Sequence, residues 1–261
     1  MAVRNYKFIV SYDGTRYYGW EHQPSTDMTI QGKLESVLTQ LQENTAGSQK
    51  ATGGKPVTVI GAGRTDAGVH ARAMTANALL DTTLSEEEIQ QYMNRYLPDD
   101  ISVNEVRCAA DRFHSRFKAT GKTYRYTLWY SRTGETPVFD RKYVYMLKEE
   151  PDTDKMKEAA EHLTGEYDFK SFCGNSHMKK STVRRVDSIR IETSGHYIRI
   201  YYHGTGFLQN MVRILTGTLL EVGYGRMQPE DMDRILAARD RRQAGPTAPA
   251  AGLCLMKVDY D

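Results

Sequence analysis

The sequence predicts an α+β protein made of two ferredoxin-like (RRM-like) α/β halves that share a central antiparallel sheet. Strand and helix patterns follow one another in the order β-α-β-α-β, and this order occurs twice within the 261 residues. No low-complexity linker separates the two runs, so we expect one continuous sheet or tightly packed halves. We place the halves at residues 1–110 and 111–261.

The first half begins with a strand, because apolar and other side chains alternate from Tyr6 to Tyr12 and a turn follows at Asp13 and Gly14. Later, Ser85 and Glu88 form a capping-box pair ahead of a helix that ends at Pro98. The remaining predicted elements are a helix at 30–41, a polar loop at 44–55, and strands at 57–60 and 101–108.

The second half repeats this order. Gly223 is the predicted C-cap of its most apolar helix, and Ser194 and Gly195 are the predicted hairpin turn. The predicted elements are strands at 122–130 and 252–260, a hairpin over 188–202, helices at 153–163 and 208–222, and an added helix at 229–243.

Composition excludes several classes of protein. Lys plus Arg (35) nearly balance Asp plus Glu (33), so nucleic acid would have to bind at local clusters of charge. Three widely separated cysteines favour a reducing compartment over a disulfide framework or a zinc site. With no charged leader and no long apolar run, we expect a cytoplasmic protein that does not enter membranes.

The segment VIGAGRTDAGVHA, residues 59–71, is a strand that runs into a glycine turn rich in reactive side chains. A dinucleotide fingerprint would need a third glycine at position 66, where aspartate stands, and the P-loop lacks its Gly-Lys-Ser/Thr. The segment is then either a simple turn capped by Asp66 or a catalytic loop whose glycines let another chain come close. His70 is a general base or, more commonly for such a position, a structural histidine.

The motif GAGRTDAGVHA resembles the active-site loop of the tRNA pseudouridine synthase A family. Further blocks in the order of that family extend from Tyr12 to Leu255. They read YDGTRYYGW, TIQGKLE, LPDDISV, RFHSRFKATGKTYRY, DFKSF, GTGFLQNMVRILTGTLLEVG and AGPTAPAAGLCL.

The resemblance implies the pseudouridine synthase fold and an enzyme that isomerises uridine to pseudouridine in the anticodon stem-loop of tRNA, at the family's positions 38, 39 and 40. It also implies a homodimer whose chemistry needs no organic cofactor and no metal. No protein partner is evident from the sequence.

The resemblance also implies the catalytic residues. Asp66 matches the catalytic aspartate, which adds to uracil C6 or to C1′ of the sugar, and the sequence leaves both routes open. Arg213 matches the arginine that keeps this carboxylate ionised; otherwise it is a surface arginine on an apolar helix. Tyr124 matches the tyrosine that stacks on the target uracil, or else it only lines a strand face, which is our interpretation of Tyr126.

The candidate substrate-binding residues are Arg64, Thr65, Lys122, Arg125 and Tyr124 itself. Arg64 is the candidate to fill the space of an extruded base, unless it is tied to a backbone carbonyl. Basic residues also cluster between aromatic rings, in a pattern suited to phosphate contacts or to an ordinary solvated face. These clusters are Arg107, Arg112, Arg116, Lys118, Lys122 and Arg125, interleaved with Phe113, Phe117 and Tyr124, and separately Lys179, Lys180, Arg184 and Arg185.

The sequence departs from the family pattern at three places. Glu21 stands where glutamine is common, RAMT (72–75) stands where Gly-Gln is usual, and residues 45–54 are longer than in typical members. These departures concern the choice of RNA and leave the catalytic matches intact. The alternative function is a catalytically silent or differently targeted RNA-binding paralogue; zinc deamination lacks its H-x-E and P-C-x-x-C ligands.

Overall fold

The computed structural model describes residues 3–44, 56–175 and 177–261. Strands and helices both contribute, and the strands pair mostly antiparallel. The predicted α+β class is therefore confirmed. The lengthened segment at 45–54 lies outside the described residues.

The chain forms two compact units, residues 1–120 together with 256–261, and residues 121–255. The division of the chain at residues 110 and 111 into a half that carries the aspartate loop and a half that completes the cleft stays a prediction.

In the first unit, strand β1 lies between β4 and β3, and β2 extends the sheet beyond β3; all three pairings are antiparallel. Helices α1 and α2 complete this unit. The bounds are β1 (Arg4–Tyr12), α1 (Ile30–Asn44), β2 (Ile60–Gly61), β3 (His70–Leu80), α2 (Glu86–Tyr96) and β4 (Ile101–Ala109).

The core of the first unit follows the sequence periodicities. Alternate residues of β1 are buried, from Tyr6 to Tyr12, as the predicted strand requires. The apolar face of α1 is also buried, at Ile30, Leu34, Val37, Leu38 and Leu41. Both capping-box hydrogen bonds between Ser85 and Glu88 form at the start of α2.

The predicted strand at 57–60 is wrong in extent, because only Ile60 and Gly61 form β2. Side chains of α1 take the backbone hydrogen bonds that a strand partner would otherwise make. The Val57 amide donates to Thr39 Oγ1 at 3.0 Å, and the Val59 amide donates to Glu35 Oε1 at 3.0 Å. The amides of Val57 and Val59 therefore have hydrogen-bond acceptors although residues 57–59 pair with no neighbouring strand of the described chain.

Strand β3 was not predicted. Its eleven residues, HARAMTANALL, are rich in alanine, and eight of them are buried, at 70–71, 74–78 and 80. Alternation between apolar and polar side chains is lost when both faces of a strand are covered, so the usual period-two signal is missing.

In the second unit the strand order is β5-β9-β8-β7, and each neighbouring pair is antiparallel. The short β6 pairs parallel to β5. The bounds are β5 (Ala119–Trp129), β6 (Tyr145–Met146), α3 (Thr153–His162), β7 (Gly165–Asp168), β8 (Val183–Ser194), β9 (Tyr197–Gly204), α4 (Met211–Gly223) and α5 (Asp231–Ala238). Strand β10 (Leu253–Tyr260) begins in this unit, and its residues 256–260 belong to the first unit.

The predicted hairpin turn at Ser194 and Gly195 is confirmed, since Ser194 pairs with Tyr197 across it. Two helix ends differ from prediction. Gly223 is the last residue of α4 and Tyr224 is its C-cap, while the left-handed conformation falls on Gly225 at φ +71°. The added helix α5 is shorter than 229–243, because Arg239 takes a left-handed φ of 50° and ends it.

None of the helices in the described part of the chain is both long and apolar enough to cross a lipid bilayer.

Candidate active site

The loop of residues 62–69 joins β2 to β3 and carries three of the predicted site residues. Ile60 pairs with Asn77 and Gly61 pairs with Ala76, so the ends of the loop lie on neighbouring strands. The Ala62 amide then donates to the Thr75 carbonyl at 2.8 Å. Arg64, Thr65 and Asp66 therefore project from a loop that both strands fix.

Asp66 begins a tight turn. The Val69 amide donates to the Asp66 carbonyl at 3.1 Å, and Gly68 takes a φ of +77°. A positive φ at the third position of a turn is typical of type II, which favours glycine there. Asp66 itself is half-buried; Thr65 and Val69 near it in the sequence are buried, and Ala67 is exposed.

Three hydrogen bonds hold this loop against residues 12–20. The Trp20 amide donates to the Thr65 carbonyl at 3.0 Å, and the Gly68 amide donates to the Tyr17 carbonyl at 3.3 Å. The Tyr12 hydroxyl and Thr65 Oγ1 lie 2.8 Å apart in a buried contact. Thr65 thereby anchors the loop through its side chain and backbone, and its predicted contact with substrate stays a prediction.

Tyr17 is in turn fixed by Asp100. Its hydroxyl donates to Asp100 Oδ1 at 2.6 Å, and Arg16 Nε donates to Oδ2 at 2.7 Å. Burial and the bond to Asp100 raise the pKa of Tyr17 to about 12. Burial raises the pKa of Asp100, but the hydrogen bonds from Arg16 and Tyr17 outweigh that effect, and the pKa lies below its ordinary value of 3.8.

Two glycines of this region allow other segments of the same chain to pack closely against them. A Cβ on Gly61 would lie 2.5 Å from the Trp20 indole, and a Cβ on Gly19 would lie 2.6 Å from the Thr65 carbonyl. Gly19 also has a φ of +98°. Both glycines are thus required by the packing of the loop against residues 12–20.

Arg64 is the most exposed residue of the predicted set on this loop. Its side chain is 60% exposed and forms an ion pair with the carboxylate of Glu21, whose side chain is 47% exposed. Glu21 is the position at which the sequence departs from the family's usual glutamine. Sequence reasoning singled out both residues without predicting that they meet.

His70 has the features of a structural histidine. It is 5% exposed, and the Gly14 amide donates to its Nδ1 at 3.0 Å. The Asp13 carboxylate lies 3.2 Å from the same nitrogen. Because an amide can only donate, Nδ1 is the acceptor here, which favours the structural interpretation over a general base.

In the second unit, β5 carries three predicted site residues. Tyr124 is 8% exposed, and its ring contacts the Phe207 ring edge-to-face at 5.3 Å. Lys122 and Arg125 are half-buried on the same strand. Arg125 Nε is buried and has no hydrogen-bond partner among the residues that the structure describes.

Tyr126 is fully buried, as its predicted core position requires. Its hydroxyl donates to the Pro249 carbonyl at 2.5 Å, and burial raises its pKa. Gly252 allows this packing, because a Cβ there would lie 2.5 Å from the Tyr126 ring.

Arg213 lies in the first turn of α4, where two acceptors orient its guanidinium. Its Nε donates to the Ala248 carbonyl at 2.7 Å, and its Nη1 donates to Asn210 Oδ1 at 3.1 Å. Asn210 precedes α4 in the left-handed conformation, with φ 58°. Sequence reasoning missed Asn210; its spacing of three residues from Arg213 at a helix start was the available signal.

The structure thus groups the predicted residues by element. Arg64, Thr65 and Asp66 lie on one loop of the first unit. In the second unit, Lys122, Tyr124 and Arg125 lie on β5 and Arg213 lies on α4.

Known proteins resemble this chain over almost its whole length. A family model described as tRNA pseudouridine synthase matches residues 8–118 and 159–261. The chain is 42% identical over 258 residues to tRNA pseudouridine synthase A of Bacillus sp. (strain KSM-64), and 39% identical over 258 residues to tRNA pseudouridine synthase A 2 of Clostridium perfringens (strain 13 / Type A). Each alignment covers 99% of this chain and 100% of the relative.

Among solved structures, the chain is similar to one in a crystal structure of a Cbf5-Nop10-Gar1 complex, with a TM-score of 0.40 and 13% identity. That match covers 96% of this chain and 49% of the other, so this chain spans about half the length of the solved one.

Proposed function

Because the chain belongs to the tRNA pseudouridine synthase family, we propose that it isomerises uridine in the anticodon stem-loop of tRNA with Asp66 as its nucleophile. The enzyme class and the tRNA substrate follow from family membership. The observation that supports the residue assignment is the loop at 62–69, which is anchored at both ends and holds a half-buried carboxylate beside exposed Arg64.

Isomerisation breaks the bond between uracil N1 and C1′ of the sugar and forms a bond between C5 and C1′. The Asp66 carboxylate supplies a nucleophile, which adds to C6 of the ring or displaces the uracil from C1′ as an ester with the sugar. In the C1′ route the ester with the sugar breaks as the C5–C1′ bond forms, whereas in the C6 route the bond to C6 breaks by elimination as the C5 proton leaves; both routes regenerate Asp66. The hydrogen on C5 is lost to solvent as a proton, and N1 gains one, so the reaction consumes nothing.

Arg213 supplies the positive charge that keeps Asp66 ionised. A cation within about 4–6 Å of a carboxylate stabilises its charged form, and a half-buried aspartate would otherwise tend to protonate. Support for this role comes from the orientation of Arg213 by Asn210 and Ala248, since a guanidinium held by two acceptors loses less entropy when it pairs.

Tyr124 and Arg64 bind the target nucleotide and its surroundings. A tyrosine ring stacks on the extruded uracil, an interaction worth about 1–3 kcal/mol per base. The exposed guanidinium of Arg64 occupies the space that the base leaves or bonds to phosphate. Lys122, Arg125 and Thr65 complete the proposed set.

The direct test is tritium release from tRNA transcripts whose uridines carry tritium at C5. We expect the purified wild-type protein to release tritium to water, and Asp66→Asn and Asp66→Ala to lower the rate by at least about 10³-fold, because both remove the nucleophile. Binding of tRNA, measured by fluorescence anisotropy, should stay close to wild type in both variants.

A matched control is Asp99→Asn, which removes an exposed aspartate of the same unit that lies outside the loop. We expect full activity from it. Undiminished tritium release by Asp66→Asn would show that another residue is the nucleophile. Intact tRNA binding without release by wild type would instead favour the silent paralogue.

The same family resemblance is our basis for proposing a cytoplasmic homodimer. Light scattering on the purified protein measures the mass in solution, and a mass of one chain across the working concentration range would contradict the dimer.

A further inference from the structure

The segment 110–118, between β4 and β5, presents an aromatic pair that the proposed catalytic set does not use. The rings of His114 and Phe117 stack with centroids 4.2 Å apart and planes inclined by 28°. Phe117 is 78% exposed. One face of the exposed Phe117 ring stacks on His114, so its other face is available to a flat ligand.

Hydrogen bonds of the buried residue Ser115 fix the backbone of this segment. Ser115 is fully buried; its amide donates to Asn77 Oδ1 at 2.9 Å, and its hydroxyl donates to the Ile60 carbonyl at 2.5 Å. The Tyr260 hydroxyl donates to the Ser115 carbonyl at 2.7 Å. The exposed ring is therefore presented by a fixed backbone, as a binding surface requires.

The same hydrogen bonds tie the segment to the Asp66 loop. Ile60 and Asn77 are a cross-strand pair of β2 and β3, the two strands from which that loop projects. The ring pair and Asp66 thus share one support within the first unit. An RNA held at the rings is held in a defined position relative to the loop.

The charges around the rings favour a polyanion. Arg112, Arg116 and Lys118 are exposed, and none of the described carboxylates forms an ion pair with them. Arg107, from the same predicted basic cluster, is by contrast paired with Glu86 at 3.2 Å and Glu105 at 2.9 Å. Unpaired cations next to an exposed ring suit phosphates that flank a stacked base.

We propose that the His114–Phe117 pair is a stacking platform for an unpaired base of the tRNA substrate, with Arg112, Arg116 and Lys118 on the adjoining phosphates. The proposal rests on the proposed function only in taking tRNA as the ligand. The base that stacks on the platform is not the reacting uridine, because the platform only binds an unpaired base and takes no part in the chemical reaction.

The test is the Kd of a fluorescently labelled, unmodified tRNA transcript, measured by anisotropy with the full chain. Phe117→Leu keeps an apolar side chain and removes the ring, so we expect the Kd to rise about 5- to 100-fold. Phe117→Trp keeps a stacking face and should bind at least as tightly as wild type. At saturating tRNA the turnover of Phe117→Leu should equal that of wild type.

Tyr96→Leu is the matched control. Tyr96 is 46% exposed and its ring lies 4.6 Å from that of Tyr92, so it too is an exposed member of a ring pair in the first unit. Its helix, however, begins with Glu86, Glu87 and Glu88 and is followed by Asp99 and Asp100, which repel phosphate. We expect no change in Kd.

The salt dependence of binding separates stacking from charge. Phe117→Leu should leave the slope of log K against log salt unchanged, whereas Lys118→Gln should reduce it by about 1. An unchanged Kd for Phe117→Leu overturns the platform. So does a loss of oligomeric mass in that variant, which would assign the ring to a subunit contact. Activity lost in Asp66→Asn is scored separately and tests only the proposed nucleophile.

Discussion

At the scale of the single residue, Glu21 and Arg64 show one surface side chain held by another. Exposed ion pairs stabilise a protein by about 0–1 kcal/mol, because water screens the charges and both side chains lose freedom. The ion pair therefore contributes little to the stability of the fold, but it affects the binding of a ligand at Arg64. An RNA that binds Arg64 must first displace the Glu21 carboxylate, which also repels the incoming phosphate.

Glu21→Gln should therefore bind tRNA more tightly. The variant removes the competing charge and keeps the shape, and we expect the Kd to fall by up to about fivefold. Anisotropy at low and moderate ionic strength measures it, and the gain should shrink as salt screens Arg64.

The double variant Glu21→Gln with Arg64→Gln tests whether the effect of Glu21 on binding depends on Arg64. If the effect of Glu21 acts through Arg64, replacing Glu21 in the Arg64→Gln background should change the Kd little. A gain of the same size in both backgrounds would show that Glu21 repels RNA independently of Arg64.

The identities of the proposed catalytic residues were predictable because they lie in short motifs; their supports were not. Asp66 stands in an eleven-residue block that resembles a family loop. The contact between Tyr12 and Thr65, or between Asn210 and Arg213, depends on side-chain geometry that no local pattern specifies. The interpretation of His70 as structural was one of two open alternatives until its buried bond to Gly14 favoured it.

At the scale of the element, the start of α4 combines backbone strain with the placement of Arg213. A left-handed φ disfavours residues with a Cβ, although asparagine tolerates it better than most. Asn210 takes this conformation and offers its carboxamide oxygen to Arg213. Strain that a fold maintains next to a proposed catalytic group is consistent with a role in positioning that group.

Two substitutions separate these contributions. Asn210→Gly keeps the left-handed backbone without strain but loses the acceptor, so we expect kcat to fall about 10- to 100-fold with little loss of stability. Asn210→Ala should lose the same activity and unfold at a free energy lower by about a further 1 kcal/mol. Denaturant titration and tritium release measure the two effects, and full kcat in Asn210→Gly would show that Arg213 does not depend on Asn210.

Strands and helices were predictable from the sequence where one face of the element is buried and the other is exposed to solvent. Strand β1 and helix α1 have clear periods of two and 3.6, and both were found. Strand β3 has no such period because both faces are largely buried, and residues 57–59 bond to helix side chains instead of a strand. Interactions distant in sequence decided both cases.

At the scale of the whole molecule, Asp100 links acid stability to the arrangement of the loop at 62–69. It fixes Tyr17, whose carbonyl accepts a hydrogen bond from Gly68. The pKa of Asp100 is lower in the folded protein than its ordinary 3.8. A depressed carboxylate pKa stabilises the fold above the ordinary value, and this contribution is lost as pH falls through the folded-state value.

Asp100→Asn should therefore lower the free energy of unfolding at pH 7 by about 1–2 kcal/mol, because hydrogen bonds to a charged acceptor are replaced by weaker ones. The difference from wild type should shrink below about pH 3.8, as the wild-type carboxylate protonates. Denaturation at a series of pH values measures it. A difference that is constant down to strongly acidic pH would mean that the charge of Asp100 contributes nothing.

The composition of the first unit also has a consequence for biosynthesis. Residues 256–261 belong to it, although 135 residues of the other unit, 121–255, are translated first. Tyr260, which bonds to Ser115 and packs on Phe113, therefore leaves the ribosome after the whole of the second unit. A nascent chain thus emerges with its aspartate loop translated while segment 110–118 still lacks the support of Tyr260, so the first unit matures only after residues 121–255 have been synthesised.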